Sequence, residues 1–478
     1  MSTPTPTALS LTSATAGDLA AWYRDGSVSP VEATQAAIDV AGSAGDALNA
    51  VAVMNAEQAL EDAAASAARW AAGTPLSELD GVPVSIKDSF PMVGLRRWHG
   101  SRLNDGAPAS VHDGAPVRRL REAGATLFAK TSMPDFGLIG AGVSSQFGII
   151  RNPWNPDLNP GGSSSGSGAL VALGAGPLSV GTDMGGSVRL PAALCGLVGL
   201  KPTQGRIAYD PPKLIGSAGP MARTVADTAA LLRVIGKPDP TDHLSLPGAF
   251  EGDGSVPASL AGVTVGVLLA TDVPGGVDDE VAAAVHAQAA VLAAHGATVV
   301  TIDDPLTTAA DRESFMTVLS TRGLPELLAV PEEKWPLLPP QLLAQLLSRT
   351  DITAVQHVAN EKVLDGVRAK IAAVLNSFDY VLSPVTPVVS FPAENVTPVR
   401  NDYSLDHMVF TAPYNLTSLP AGTVPVAMSE SGMPIGVQIG GRRFDDAGVL
   451  GLLALLERER SFDLAYPFAA ALPIATGA

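Results

Sequence analysis

The chain has 478 residues, 46% hydrophobic and 16% charged, a globular composition long enough for one large core or for two or three smaller ones. Thirty Lys and Arg against 47 Asp and Glu leave a formal charge of −17, which repels phosphate backbones and anionic lipid and argues against nucleic-acid or membrane-surface partners. A single cysteine, Cys195, excludes an internal disulfide and any multi-cysteine metal site. Residues 1–26 lack a basic stretch followed by an apolar core, and no apolar run reaches membrane-spanning length, so the expectation is a cytoplasmic protein.

Residues 1–75 read as a helical segment that packs on the core. "SPVEATQAAIDVAG" offers Ser29 as N-cap, Pro30 at the first helical position and Glu32 to close a capping box. A second helix, "NAEQALEDAAASAARWAAG", stops at Gly73. From residue 76 to the end the pattern alternates: strand "GVPVSIKDSF", helix "GAPVRRLREAG", strand "ATLFAKT". Later come "VTVGVLL" (263–269), helix "VDDEVAAAVHAQAAVLAAHG" and "ATVVTI" (297–302), then strands "DYVLSPVTP" and "GTVPVAM…GMPIGVQIGG", and a closing helix "DDAGVLGLLALLERE". Strand–helix–strand order with short turns predicts an α/β fold, a single large, mixed and mostly parallel twisted sheet with helices on both faces. The Pro-, Gly- and Asp-rich stretch 235–260 reads as a surface excursion from that sheet rather than a domain boundary.

The glycine- and serine-rich stretch 160–189, "PGGSSSGSGALVALGAGPLSVGTDMGGSVR", raises the question of chemistry. A P-loop needs a Gly-Lys-Ser/Thr ending, but no lysine lies between Lys130 and Lys201, and Val171 breaks the dinucleotide fingerprint. Most loop serines merely satisfy backbone groups. The segment "TDMGGSVRLPAALCG" points further. Two glycines place Ser187 before a predicted helix, and the N–H groups of Met184, Gly185, Gly186 and Ser187 are placed to converge on one point, as in an oxyanion hole. A serine nucleophile needs a base, and residues 131–200 contain neither His nor Glu. The candidates elsewhere are His99, His112 and His407, or Lys87 at the end of the apolar run "GVPVSIKD". A desolvated lysine loses basicity and serves as a base, whereas a surface lysine paired with neighbouring Asp88 does not.

Taken in order, "GVPVSIKDSF", "AKTSMPDFG", "NPWNPDLNPGGSSSGSGALVALGAGPLSVGTDMGGSVRLPAALCGLVGLKPTQGRI" and "GPMARTVADTA" resemble the amidase signature family, and weaker likeness runs from "SPVEATQAA" to "YNLTSLPAG" and beyond. The resemblance implies the amidase signature fold, with a catalytic core at about 80–235, and a Ser–cis-Ser–Lys triad. Ser187 matches the nucleophile, Ser163 the bridging serine after a cis peptide bond, and Lys87 the base. It also implies that Asp183 and Arg189 brace the nucleophile loop, that Ser164 supports it, and that the backbone of 184–187 forms the oxyanion hole. No metal or cofactor is implied, and the partner is a small amide or related acyl compound; a homodimer follows from the same resemblance. Ser165 departs from the family's pattern by replacing a glycine.

One branch, the glutaminase subunit of the tRNA-dependent amidotransferase, usually reads Ser-Asp-Thr-Gly-Gly-Ser-Ile-Arg-Gln here. Thr182, Met184 and Leu190 replace the first Ser, the Thr and the Gln, which favours a free-standing amidase. Aryl acylamidase, hydrazidase or esterase activity uses the same acyl-enzyme, and an inactive binding protein is the remote alternative. The pocket is expected from 92–100, 136–148 and the apolar stretch 313–350, with Trp98 and Trp335 as candidate lining residues. The duller reading of 313–350, core or interface packing, is preferred. Charged groups in the matched blocks have structural roles, so an uncharged acyl portion is expected.

Overall fold

The computed structural model describes residues 8–398 and 402–468. The first seven residues of the expected N-terminal helical segment and residues 469–478 lie outside the described residues.

Helices α1 (Ala8–Ser13) and α2 (Ala16–Asp25) lead into α3 (Pro30–Val40). At its start the Ser29 hydroxyl accepts the Glu32 N–H while the Glu32 carboxylate accepts the Ser29 N–H, the capping box that the sequence predicts. Then follow β1 (Val51–Met54), α4 (Ala56–Ala71), β2 (Pro83–Lys87), α5 (Ala115–Glu122) and β3 (Thr126–Thr131). A small hairpin, β4 (Val143–Ser144) with β5 (Gly148–Ile149), precedes α6 (Ser165–Leu173) and β6 (Leu178–Asp183). The middle of the chain closes with α7 (Arg189–Leu194), β7 (Val198–Lys201), β8 (Ser217–Ala222) and α8 (Val225–Ile235). Beyond it lie β9 (Thr264–Leu268), α9 (Asp279–Ala294), β10 (Thr298–Ile302), α10 (Ala309–Leu328), α11 (Pro340–Leu347) and α12 (Ala354–Leu375). The last elements are β11 (Tyr380–Pro384), α13 (Ala412–Leu416), β12 (Ala421–Met428), β13 (Pro434–Gly441) and α14 (Asp446–Arg458).

Eleven strands form one sheet in the order β1-β3-β2-β6-β8-β7-β12-β13-β11-β9-β10. The fold is the mixed α/β sheet expected, but its parallel share is smaller than "mostly". Parallel pairing is confined to β3-β2-β6 and β11-β9-β10. Antiparallel contacts make the rest, because β8 inserts between β6 and β7 and runs against both, and β12–β13 is a hairpin whose turn is too short for a crossover. The stretch 236–263 has no helix or strand and joins two parts of the same sheet, held down by buried Phe250, Asp239 and Asp242.

The alternation along β2 positions the site. Val84 and Ile86 enter the main apolar cluster, so Ser85 and Lys87 point to the opposite face. There the Ser85 hydroxyl donates to Ser179 on β6 (2.9 Å), and α6 packs over β2, β3 and β6. The stretch 313–350 is core on one side only: Phe315, Leu319, Leu324, Leu327, Leu342 and Leu346 are buried, Leu328, Leu337 and Leu347 are exposed, and Arg322, Gly323 and Glu326 line a cleft.

Candidate active site

Lys87 is fully buried (0% exposed) at the end of β2. Its Nζ donates to Ser163 Oγ and to Thr182 Oγ1, both at 2.8 Å. Burial pushes the amine well below the usual lysine range; the more distant Asp183 and Asp88 oppose this, and Lys213 adds to it. Surface pairing with Asp88 does not occur. Asp88 is itself buried and holds Lys130 on β3, with Nζ and Oδ1 2.7 Å apart.

Ser163 and Ser164 lie in the turn that enters α6, and the Gly162–Ser163 peptide bond is cis. A Cβ on Gly162 would sit 2.5 Å from the Ala141 nitrogen, so the turn tolerates no side chain there. Ser164 ties two loops together. Its N–H donates to the Ser187 carbonyl (3.1 Å), and its hydroxyl donates to the Thr182 carbonyl (3.3 Å) and accepts from the Thr182 N–H (3.2 Å). Ser165, where the sequence departs from the family pattern, opens α6; its buried hydroxyl has no hydrogen-bond partner among the described residues.

The loop between β6 and α7 carries Ser187, 4% exposed, and is braced from inside. The Asp183 carboxylate accepts from Arg189 Nε (3.0 Å) and Nη2 (2.9 Å), from Asn415 Nδ2 (2.9 Å), and from the N–H groups of Gly186 (2.8 Å) and Val188 (3.1 Å). Burial alone would raise its pKa, but Arg189 and these donors more than reverse that and hold it below the usual carboxylate range. Arg189 also donates to the Thr411 carbonyl (3.0 Å), Gln438 (2.8 Å) and Asn415 (2.7 Å). The Thr411 hydroxyl in turn donates to the Gly185 carbonyl (2.6 Å). Gly186 has φ +133°, and a Cβ on it would meet Thr411 Oγ1 at 2.4 Å. The glycine is therefore demanded by the bracing segment. The Gly186 N–H is taken up by Asp183 (2.8 Å).

Ser163, Ser187 and Thr182 line one small cavity of about 20 Å³, together with Met184, Tyr209 and Lys213. Next to it lies a cleft of about 400 Å³, sharing His99, Phe136, Met184 and Lys213. Of the three candidate histidines, only His99 lines that inner cavity. Its imidazole is held well below the usual histidine range by burial first and then by Arg97, Lys213 and Lys87. His112 is exposed beside Asp210 (3.6 Å), and burial holds His407 down at about 4. Among the described residues no histidine hydrogen-bonds to Ser163 or Ser187. Trp98 stacks with Arg96, and Trp335 donates to the carbonyls of Leu327 and Val330; neither lines these cavities.

Thr182 stands out in the sequence only as a departure from the amidotransferase pattern, and Thr411, Asn415 and Gln438 do not stand out at all. The parallel pairing of β2 with β6 (Ser85 beside Ser179, Ile86 beside Val180) carries the end of β6 alongside Lys87, and only that register places Thr182 on the amine. The other three reach Asp183 or Arg189 from more than 220 residues away.

Known proteins match this arrangement along nearly the whole chain. The amidase family model matches residues 32–450. The glutamyl-tRNA(Gln) amidotransferase A subunit of Myxococcus xanthus (strain DK1622) is 35% identical, covering 95% of this chain and 99% of that one. Its counterpart from Synechococcus sp. (strain CC9605) is 32% identical with the same coverage. Among solved structures, a bacterial aryl acylamidase of the amidase signature family superposes with TM-score 0.88 at 26% identity, covering 96% of this chain and 99% of that chain. A 6-aminohexanoate cyclic dimer hydrolase superposes with TM-score 0.81 at 28% identity, covering 95% and 98%. Fold and kinship define an α/β enzyme of the amidohydrolase type. More particularly, the chain belongs to the amidase signature family.

Proposed function

We propose that this protein is a free-standing amidase that hydrolyses the C–N bond of a small carboxylic acid amide through an acyl-enzyme on Ser187. The observation that carries the reading is the environment of Lys87: wholly buried, depressed in pKa, and hydrogen-bonded to hydroxyls alone, one of which shares a cavity with Ser187. A neutral amine there takes the Ser163 proton while Ser163 takes that of Ser187. The Ser187 Oγ–C bond forms and the carbonyl becomes an oxyanion, held by the N–H groups of Met184, Gly185 and Ser187. Gly186 shapes the loop through Asp183. Protonated Lys87 returns its proton through Ser163 to the departing nitrogen as the C–N bond breaks. Water then attacks the ester, giving its proton to the same relay, and Ser187 leaves protonated.

The test is a panel of amides, anilides, hydrazides and esters, run with Ser187→Ala and with fluorophosphonate labelling of Ser187. Turnover and labelling that both vanish in Ser187→Ala support the reading. Absence of any adduct in the native protein would favour a binding protein that keeps the fold.

A second reading is favoured by one observation, the 32–35% identity to amidotransferase subunits over most of the chain. Glutamine-dependent ammonia release that appears only when a partner subunit is added would establish it. Thr182, Met184 and Leu190 weigh the other way. The homodimer implied by the resemblance is checked by light scattering, where a single-chain mass would overturn it; the cytoplasmic location expected from the sequence is checked by cell fractionation.

A further inference from the structure

The cleft beside Ser187 is lined by two cations, Lys213 and Arg322, and one anion, Glu326, in a molecule that carries a formal charge of −17. Lys213 lines both the inner cavity, with Ser163 and Ser187, and the outer cleft, with Arg322 and Glu326. It is partly buried, and among the described residues its ammonium makes no ion pair or hydrogen bond, resting instead 4.9 Å from the centre of the Tyr209 ring. Arg322 on α10 likewise makes no ion pair or hydrogen bond among the described residues, although the Glu361 carboxylate acts on it from beyond ion-pair distance and Arg368 opposes that. Glu326, one turn further along and exposed, bridges to neither.

We propose that Lys213, assisted by Arg322, binds a carboxylate of the substrate, so that the preferred substrates are amides bearing a carboxylate near the scissile bond. The proposal rests on the amidase reading above. Phe136, Leu138, Met184 and Pro212 line the same cleft and lower its polarity, which strengthens a charge-assisted hydrogen bond made there. A partly buried ammonium without a counter-ion is the vacant half of such a pair. Both cations stand outside the motif blocks, which is why the sequence reading gives an uncharged acyl portion; a carboxylate on the acyl side would overturn that expectation, and one on the leaving side would not.

Lys213 also helps hold Lys87 neutral, so a change at 213 alters the base as well as the subsite. The readout is therefore a ratio: kcat/KM for a carboxylate-bearing amide over that for a chain-matched neutral amide. Two carboxylate probes are used, a monoamide of a dicarboxylic acid (charge on the acyl side) and an N-acyl amino acid (charge on the leaving side). The native enzyme is expected to prefer one of the two over its neutral match by roughly tenfold or more. Lys213→Met should bring that ratio close to one, and Lys213→Arg should keep most of it. Arg322→Gln, more exposed, should lower it about two- to threefold, with the preference weakening as salt is added. A native ratio at or below one for both probes, with Ser187 still labelled by fluorophosphonate, overturns the subsite and leaves the amidase standing; so does a ratio unmoved in Lys213→Met. If the native enzyme neither labels nor turns over any amide, both readings fall together.

Discussion

Strands β2 and β3 lie side by side, and each carries a fully buried lysine near its C-terminal end, yet the two lysines have opposite surroundings. Lys130 faces the Asp88 carboxylate at 2.7 Å and donates to the Arg96 carbonyl. Lys87 faces two hydroxyls and, among the described residues, no carboxylate within hydrogen-bond reach. Burial lowers the pKa of both, but Asp88 pulls Lys130 back toward its charged form, while Lys87 has only more distant charges to do so. Depth alone does not make a buried lysine a base; the identity of its hydrogen-bond acceptor does.

The comparison breaks most cleanly at the two chemistry-bearing groups. Ser187→Ala should lower kcat by about 10⁴-fold or more, and Lys87→Ala should cost nearly as much, with the residual rate rising with pH. In the native enzyme, kcat/KM should climb with pH through the depressed pKa of Lys87, since only the uncharged amine accepts a proton, and then level off. If His99→Ala abolished turnover while Lys87→Ala did not, the base would have to be reassigned. Next in size, Lys130→Met should act on stability: it strands the buried Asp88 carboxylate and should cost about 3–5 kcal/mol in urea unfolding. Lys130→Met with Asp88→Leu should recover most of that loss.

A third buried lysine sharpens the point. Among the described residues Lys201 donates only to the Pro202 carbonyl, and burial, with Arg189 nearby, lowers its pKa to about 7 from an ordinary 10.5. The folded state therefore binds this proton less tightly than the unfolded chain does. The stability linked to Lys201 is complete above about 10.5 and is lost as pH falls toward 7. Thermal melts should show this slope in the native protein and a flatter one in Lys201→Met. The smallest effect belongs to Thr182→Val, which removes the second acceptor from Lys87 and should lower kcat roughly tenfold with little change in KM.

Much of this was legible in the residues and some could not be. The Ser29–Glu32 cap, the strand ending at Lys87 and the strands of "GTVPVAM…GMPIGVQIGG" depend on neighbours within a few positions, and local pattern suffices for them. The motif blocks carried the family. Strand order is different: nothing in "GSAGPMA" reveals that β8 slides between β6 and β7, and this insertion is why the sheet is less parallel than its strand–helix–strand rhythm suggested. The same holds for Asn415 and Gln438, whose amides look like ordinary polar positions until the fold brings Arg189 to them. Lys213 and Arg322 lie in stretches with no motif, and only the shape of the cleft gives them a purpose.

The two-residue rhythm of β2 has a consequence for how this enzyme tolerates change. Odd positions look toward α6 and even positions toward oil, so reactivity hangs on whether a count is odd. One residue inserted between Pro83 and Lys87 would swing the amine among Val84, Ile86 and their neighbours; two would return it to its own side, displaced by a single pleat. Length variation can collect in the loops on either flank, but this short strand admits it only in pairs.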